Sequence, residues 1–211
     1  MGFLRTIFGP SKDEIWGRLA RDIGGKYTDG GFSGQDVLRC RSGEWEITLD
    51  TYEDTYVNRS GDTFTDDNTT YTRMRAPFVN KDKLYFKIYR KGVFSSVGKF
   101  FGMQDIVIGD TYFDDNFIIQ GNDEEKIKLL LADPKLKELI QAQPNICFQI
   151  RDDEGWFSTS FPDGVDELHF ECYWVLKDEK LLKSLFEMFT LTLERLVQID
   201  SAYENDPQVK L

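Results

Sequence analysis

The sequence is poor in the residues that build metal centres, disulfide frameworks and nucleophilic sites. Its 211 residues include one histidine, His169, and three cysteines that lie far apart, at Cys40, Cys147 and Cys172. Three scattered cysteines make neither a disulfide framework nor a zinc module. A Ser–His–Asp triad would have to use His169, and the chain has no G-x-S-x-G elbow. This scarcity of catalytic and metal-binding residues favours a protein that is not an enzyme and that binds no cofactor.

Long apolar runs are also absent. No run reaches 18 apolar residues, so the sequence predicts no transmembrane helix. The first ten residues lack the apolar core of a signal peptide, which favours a cytoplasmic protein with reduced thiols. Residues 3–8 form a short apolar lead-in that either packs on the domain or makes a weak peripheral membrane contact.

Basic residues are outnumbered. Lys and Arg total 26 against 37 Asp and Glu, so the formal net charge is −11 at pH 7. This balance argues against a nucleic-acid partner, because a polyanion would be repelled. Aromatic residues make up 14 % of the chain, which distinguishes it from a disordered acidic segment. We expect one domain over 1–200, with duplicated halves at 11–104 and 105–200 as an alternative, followed by a polar tail at 201–211.

Alternating apolar and polar residues predict two antiparallel meanders with about seven or eight strands. The segments with period-two alternation are 45–50, 71–76, 84–89, 146–151, 156–161 and 168–174, with a shorter piece at 113–119. Pro77 is expected to end the strand before it. The polar stretch 53–68 is expected to be a long loop or the extension of a hairpin. In the last strand, Cys172 and Trp174 are expected to face inward.

Helices are predicted where capping signals precede apolar residues at helical spacing. They are expected after the Ser11/Glu14 capping box, at 93–103, after the Asn122/Glu125 pair, after Asp133-Pro134 and at 178–200. The last is long, with a wide apolar face suited to lying across a sheet. The predicted fold class is therefore α+β, with antiparallel meanders, helices packed on one face and a long C-terminal helix.

One block carries a resemblance. Gly109-Asp110, Phe113-Asp114 and Phe117 form a GD-x2-FD-x2-F pattern that is followed by a Leu-rich helix. Over about residues 86–140 the chain resembles an uncharacterised bacterial family of unknown function. The resemblance implies no chemistry. Asp110, Asp114 and Asp115 are metal candidates in a metal-assisted hydrolase, and Asp110 and Asp114 also suit backbone hydrogen bonds in a turn.

His169 lies between two glutamates at alternate positions of a predicted strand. The side chains of Glu167, His169 and Glu171 are expected on its outward face, where they form a polar sheet surface. Neighbours on one face of a flat strand are about 7 Å apart, too far to share one ion easily. Cys147 is expected to point outward and Cys172 to belong to the core.

Charge is segregated along the chain. Residues 41–70 carry a net charge of −6, 71–105 carry +6 and 106–173 carry −10. If the first two blocks pair, their acidic residues are expected to face basic residues across the ladder and neutralise one another. The alternative is a binding face that mixes cations and aromatics. Its candidate residues are Arg73, Arg75, Tyr85, Lys87 and Tyr89, with a second apolar patch at Phe100 and Phe101.

The function that these observations favour is a non-catalytic, cytoplasmic protein-binding or regulatory module with an acidic surface. Its expected partner is a basic protein or a second copy of the chain. The alternatives are a metal-assisted hydrolase and a peripheral membrane-associated protein.

Overall fold

A computed structural model describes residues 9–31, 35–60, 63–92, 104–152 and 160–211, and for 54–60 and 63–68 it describes the backbone alone. The predicted helix at 93–103 and most of the predicted strand at 156–161 lie outside the described residues. Among the described residues the fold is α+β, which confirms the predicted fold class. No helix in the described ranges is long and apolar enough to cross a membrane.

The described strands form a single antiparallel sheet that does not close on itself. The strands are β1 (Lys26–Thr28), β2 (Val37–Ser42), β3 (Trp45–Ser60), β4 (Thr63–Asn80), β5 (Phe86–Arg90), β6 (Gln104–Asp105), β7 (Phe117–Gly121), β8 (Cys147–Arg151), β9 (Val165–Tyr173) and β10 (Ala202–Tyr203). Their order is β1-β2-β3-β4-β9-β8-β5-β7-β6, and β10 pairs with β4. These ten exceed the predicted seven or eight because β1, β6 and β10 are too short to show a period-two pattern.

Five helices are described, and aspartate or serine caps the start of each. They are α1 (Lys12–Asp22), α2 (Thr111–Asn116), α3 (Glu124–Leu131), α4 (Pro134–Ala142) and α5 (Glu179–Gln198). The capping box at Ser11 and Glu14 is present, which confirms that prediction. The long helix α5 begins after Asp178, whose side chain accepts hydrogen bonds from the amides of Lys180 and Leu181.

The two faces of the sheet differ because successive side chains of a strand point to opposite sides. One face is apolar and forms the core together with the helices. Phe148 of β8 lies 5.5 Å from Phe189 of α5, centroid to centroid. Both rings are fully buried, and burying a side chain of this size stabilises the fold by about 1.5–3 kcal/mol. The opposite face carries the polar residues described below.

The strands β3 and β4 are longer than predicted. The stretch 53–68 belongs to a β3–β4 hairpin whose pairing runs from Thr48↔Arg75 to Ser60↔Thr63, so of the two alternatives the hairpin extension is the one formed. The prediction that Pro77 ends its strand is wrong, because β4 continues to Asn80 and Pro77 pairs with Glu167 of β9. The missing N–H is tolerated because β3 pairs with β4 only as far as Arg75, and the pairing of β10 with β4 covers only Val79 and Asn80, so neither strand needs a hydrogen bond from Pro77.

The prediction of a strand over 113–119 is wrong in its first half. Asp110 accepts a hydrogen bond from the amide of Phe113 and starts α2, and β7 begins only at Phe117. The rings of Phe113 and Phe117 stack with centroids 4.5 Å apart, as an i, i+4 pair can. The next cap is also displaced by one residue, since Asp123 rather than Asn122 accepts from the amide of Lys126.

Candidate functional site

The polar face of the sheet is organised in two rows that cross its central strands. The first row runs Asp50, Arg73, Glu171, Cys147 and Tyr89, and the second runs Thr48, Arg75, His169, Gln149 and Lys87. We call these the polar rows. Both rows contain charged or titratable members that are almost wholly buried, since Asp50 and His169 are each 1 % exposed. Burial at this level requires that the charges be paired, because an unpaired buried ion costs several kcal/mol.

Asp50 is the acidic centre of the first row. Arg73 donates to both of its carboxylate oxygens at 2.9 Å, and Arg75 donates to one of them at 2.5 Å. Burial opposes ionisation of Asp50, but the hydrogen bonds and charges of the two arginines outweigh it, so its pKa lies below the usual value. The predicted cross-strand neutralisation is therefore present at this position. Lys87 differs, because in the ladder it lies opposite Gln149 and Gln120 rather than an acidic residue.

His169 bridges two carboxylates on its own strand. Its Nδ1 lies 2.7 Å from Glu167 Oε1, and its Nε2 lies 3.4 Å from Glu171 Oε2. Glu171 also accepts from Tyr52 at 3.0 Å and from Arg151 at 3.3 Å. Burial opposes its ionisation, but these partners lower the pKa of Glu171 to about 2. Among the described residues, no group of His, Cys, Asp and Glu is arranged to hold a metal ion.

Most of the described residues that were predicted to form a binding face are buried or paired within the chain. Arg75, Lys87 and Tyr89 are buried, and Arg73 is engaged by Asp50. Tyr85 packs against the apolar core and donates its hydroxyl at 3.3 Å to Asp166, which lies opposite the core residue Phe78 in the ladder. Phe100 and Phe101 lie outside the described residues. Arg73 and Arg75 therefore serve contacts within the chain, and burial leaves little surface for a partner at Arg75 or Lys87.

Two of the aspartates predicted as metal ligands instead stabilise a helix start and a turn through hydrogen bonds. Asp110 caps α2 and accepts from Lys137 at 2.5 Å. Asp114 accepts from the amides of Ile108 at 3.0 Å and Gly109 at 2.9 Å, while Asp115 is exposed. These contacts give Asp110 and Asp114 the turn-forming role that aspartate commonly has.

Cys147 and Cys172 lie on opposite faces of the sheet. Cys172 lies in the core, as predicted. Cys147 sits on the polar face, as predicted, but it is 1 % exposed rather than open to solvent. Burial raises the pKa of both thiols to about 12. A thiol with that pKa is almost entirely protonated at neutral pH, and the protonated form is the less reactive one.

An apolar cleft lies where β9 gives way to α5. It has a volume of about 290 Å³ and is lined by 143–145, Phe170 and 172–178. We call it the Trp174 cleft. Trp174 is 70 % exposed. Tryptophan is among the residue types most enriched in the hot spots of protein interfaces. The prediction that Trp174 faces inward is wrong, because its φ of 69° turns the chain out of the strand.

Hydrogen bonds hold the wall of this cleft. The amide of Trp174 donates to the carbonyl of Thr70 at 2.9 Å. Thr72 Oγ1 donates to the carbonyl of Trp174 at 2.7 Å and accepts from the amide of Leu176 at 2.8 Å. Trp16 of α1 donates its ring N–H to the carbonyl of Leu176 at 3.0 Å. A left-handed tryptophan costs on the order of 1 kcal/mol, and these contacts fix it in place.

A row of aromatic rings leads from the polar rows to the cleft. Tyr52 stacks on Tyr71 with centroids 5.1 Å apart, and Tyr71 lies 5.0 Å from Tyr173. Tyr173 lies 6.4 Å from Trp174 in a tilted arrangement. Contacts of this geometry add about 0.5–1.5 kcal/mol per pair beyond the area they bury. The exposed tryptophan is thus backed by a continuous aromatic support.

Gln143 is one of the lining residues of the cleft, and its side chain is buried. The residue is 1 % exposed, and its Nε2 donates to Ser184 Oγ at 2.9 Å. Ser184 donates its only hydroxyl proton to the carbonyl of Leu181 at 2.8 Å, so it can only accept from Gln143. This fixes the orientation of the amide. Within the described residues, no donor reaches Gln143 Oε1, although it is buried.

The comparisons with known proteins find a similar fold but do not assign the chain to a family. No family model matches the chain, and no curated protein matches it. Among solved structures it is similar to the crystal structure of the mycobacterial trehalose monomycolate transport factor A, TtfA. The TM-score is 0.51 at 8 % identity, covering 88 % of this chain and 94 % of that chain. At this identity the similarity concerns the fold alone. The resemblance of 86–140 to an uncharacterised bacterial family stays a prediction.

Sequence reasoning missed the residues that build the cleft. Trp174 continues the alternation of Phe170 and Cys172, so its pattern is that of a core residue. Gln143 follows α4 in a segment without periodicity, and no pattern pairs it with Ser184 forty-one positions later. The one available signal is Asp178, whose cap at the start of α5 implies that the strand ends a few residues earlier.

Proposed function

We propose that this chain is a non-catalytic protein-binding module and that the Trp174 cleft is its docking site. The observation that carries the proposal is the 70 % exposed Trp174 beside an apolar cleft of about 290 Å³. Small-molecule pockets usually measure about 300–1,000 Å³, so this cleft lies at the lower end of that range and has room for a single side chain. An aromatic residue beside a small apolar pocket is the usual composition of an interface hot spot.

The charge of the surrounding sequence supports a basic partner. All lining residues of the cleft fall within 106–211, where 106–173 carries a net charge of −10 and 174–211 carries −2. The two charged residues of the lining, Lys177 and Asp178, cancel, so the preference for a basic partner follows from the net charge of 106–211 and the preference for an apolar anchor follows from the cleft. Charge complementarity increases association rates and suppresses wrong partners.

The arrangement of ionisable groups supports a non-catalytic role. The buried carboxylates Asp50 and Glu171 are held by arginines and by His169, Asp110 is held by Lys137 and by the amide of Phe113, and Asp114 is held by the amides of Ile108 and Gly109. A metal-assisted hydrolase would need several of these carboxylates for its ion. Residues 3–8 and 99–103, on which a membrane contact would depend, lie outside the described residues. The structural neighbour TtfA is a trehalose monomycolate transport factor, and the likeness lends this chain its fold only.

Site-specific photo-crosslinking in the native cell tests the docking site. A photoreactive phenylalanine analogue replaces Trp174 in one variant and Tyr203 in the control, because Tyr203 is also exposed, at 49 %. We expect one discrete protein adduct from position 174 that position 203 does not give, and mass spectrometry identifies it. An adduct pattern that is the same at both positions, or no adduct from 174, overturns the proposal.

A further inference from the structure

A second cavity opens on the polar face of the sheet, at the edge formed by β1. Its volume is about 610 Å³, within the usual range of about 300–1,000 Å³ for small-molecule sites. We call it the edge cavity. It shares no lining residue with the Trp174 cleft. The charged residues of its lining are Lys26, Arg39, Arg41, Lys210 and Glu46.

The register of the sheet places three of these cations side by side. Lys26 of β1 lies opposite Arg39 of β2, and Arg39 lies opposite Thr48, so both cations continue the second polar row to the edge of the sheet. Arg41 follows on the same face two residues further along β2. Like charges directly opposite each other destabilise a ladder. An anion that contacts Lys26 and Arg39 together would offset their repulsion.

The two arginines have partners within the chain. Arg39 pairs with Glu46 at 3.6 Å and also donates to the main-chain oxygen of Leu211. Arg41 pairs with Asp206 at 2.9 Å. Each guanidinium carries five N–H donors, so these contacts leave donors of both arginines available to a ligand.

The two lysines give the edge cavity its excess of positive charge. Lys26 and Lys210 are exposed, and neither forms an ion pair with any part of the chain that the structure describes. Four basic side chains against Glu46 and Asp206 leave a local charge of +2, in a chain whose net charge is −11. Counting the Leu211 oxygen as a full negative charge still leaves +1. The cavity therefore attracts anions, although the chain as a whole repels them.

We propose that the edge cavity binds a small polyanion that carries two or more phosphate groups. A phosphate group offers three acceptor oxygens, whereas a carboxylate offers two, so phosphate satisfies more of the N–H donors gathered here. Arginine and lysine are also the side chains that commonly bind phosphate. No aromatic residue is among the described residues that line the cavity, so the lining provides no ring on which a nucleobase stacks.

Pyrophosphate and malonate are the probes that test the proposal, because each joins two anionic groups through one bridging atom. Both are titrated into the unmutated full-length chain at low salt, and binding is followed in amide NMR spectra. We expect pyrophosphate to shift the amides of 24–28 and 39–41 with a dissociation constant below about 1 mM, roughly tenfold lower than that of malonate. Equal affinities overturn the assignment to phosphate, and shifts confined to other amides overturn the site.

A matched pair of variants assigns the binding to the cavity. Lys26→Gln removes one of its cations, and Lys180→Gln is the control, because Lys180 is also exposed and has no ion pair among the described residues. We expect Lys26→Gln to weaken pyrophosphate binding roughly fivefold and Lys180→Gln to weaken it by less than about twofold. Surface substitutions of this kind leave the fold intact.

Lys210→Gln repeats the test from a separate segment of the chain, and we expect a loss of affinity similar to that of Lys26→Gln. Unchanged affinity in both variants overturns the proposal. Because the edge cavity and the Trp174 cleft share no lining residue, these results and the photo-crosslinking results are independent of each other.

Discussion

Thr72 holds Trp174 in its left-handed conformation. The threonine hydroxyl donates to the carbonyl of Trp174 at 2.7 Å and accepts from the amide of Leu176 at 2.8 Å. One buried side chain of β4 therefore fixes both ends of the turn that exposes the tryptophan. The position of the docking residue depends on a strand that is adjacent to it in space and about a hundred residues away in sequence.

The first prediction concerns that contact. Thr72→Val keeps the shape of the side chain and removes both hydrogen bonds, so we expect the free energy of unfolding to fall by about 2 kcal/mol. Urea denaturation measures it. The control is Thr190→Val on the half-exposed side of α5, which should change stability by less than about 0.5 kcal/mol. Equal effects of the two substitutions would show that Thr72 does not hold the turn.

The second prediction concerns the buried ion cluster. Asp50→Asn leaves Arg73 and Arg75 without their shared carboxylate, and we expect a loss of about 3–5 kcal/mol. Glu46→Gln is the matched control, because Glu46 pairs with Arg39 at 3.6 Å with both side chains about a third exposed. Exposed pairs contribute about 0–1 kcal/mol. Denaturation of both variants at neutral pH gives the comparison, and a small effect of Asp50→Asn would contradict the role assigned to the polar rows.

The third prediction concerns acid. In the folded chain the pKa of Glu171 is about 2, against an ordinary value of 4.5. Because the pKa is lowered by folding, the stabilisation is complete above about pH 4.5 and is lost as the pH falls toward 2. It amounts to about 3 kcal/mol. In urea titrations between pH 2 and pH 6, Glu171→Gln should show a shallower loss of stability with acid than the unmutated chain, and an unchanged slope would rule out this role.

The fourth prediction concerns thiol reactivity. Cys147 and Cys172 are buried with pKa values of about 12, whereas Cys40 is half-buried. We expect a thiol reagent at neutral pH to modify Cys40 first and the other two only as the chain unfolds. The time course is compared with that of Cys40→Ser, in which the early phase should vanish. Rapid modification of Cys147 in the folded chain would show that the polar face is open at that point.

The pattern of residues predicts those parts of the fold that depend on local sequence. The alternation at 45–50 and 168–173, the caps at Ser11 and Asp133, and the long helix after Asp178 all follow from contacts within a few residues. The charges of the blocks 41–70 and 71–105 predict that acidic residues face basic ones across the ladder, as Asp50 faces Arg73, but they do not predict which residues pair.

Other features depend on contacts between distant segments. Pro77 is tolerated inside β4 because of where β3 and β10 stop pairing with that strand, which no local pattern indicates. Burial of the polar rows could not be derived either, since alternation distinguishes two faces but not which of them is covered. Trp174 escapes prediction for a third reason: Thr70 and Thr72 supply the hydrogen bonds that turn it outward.

The affinity of the partner captured at position 174 tests the central claim most directly. Trp174→Ala removes the exposed ring, and Tyr203→Ala removes an exposed ring elsewhere. Hot-spot truncations cost about 2 kcal/mol or more, so we predict that Trp174→Ala weakens binding of the purified partner by roughly thirtyfold and Tyr203→Ala by less than about threefold. Both variants should stay folded, with a loss of no more than about 1.5 kcal/mol in the free energy of unfolding, because each removes one ring contact, that of Trp174 with Tyr173 or that of Tyr203 with Lys81. An unchanged dissociation constant for Trp174→Ala would contradict the assignment of the cleft as the docking site.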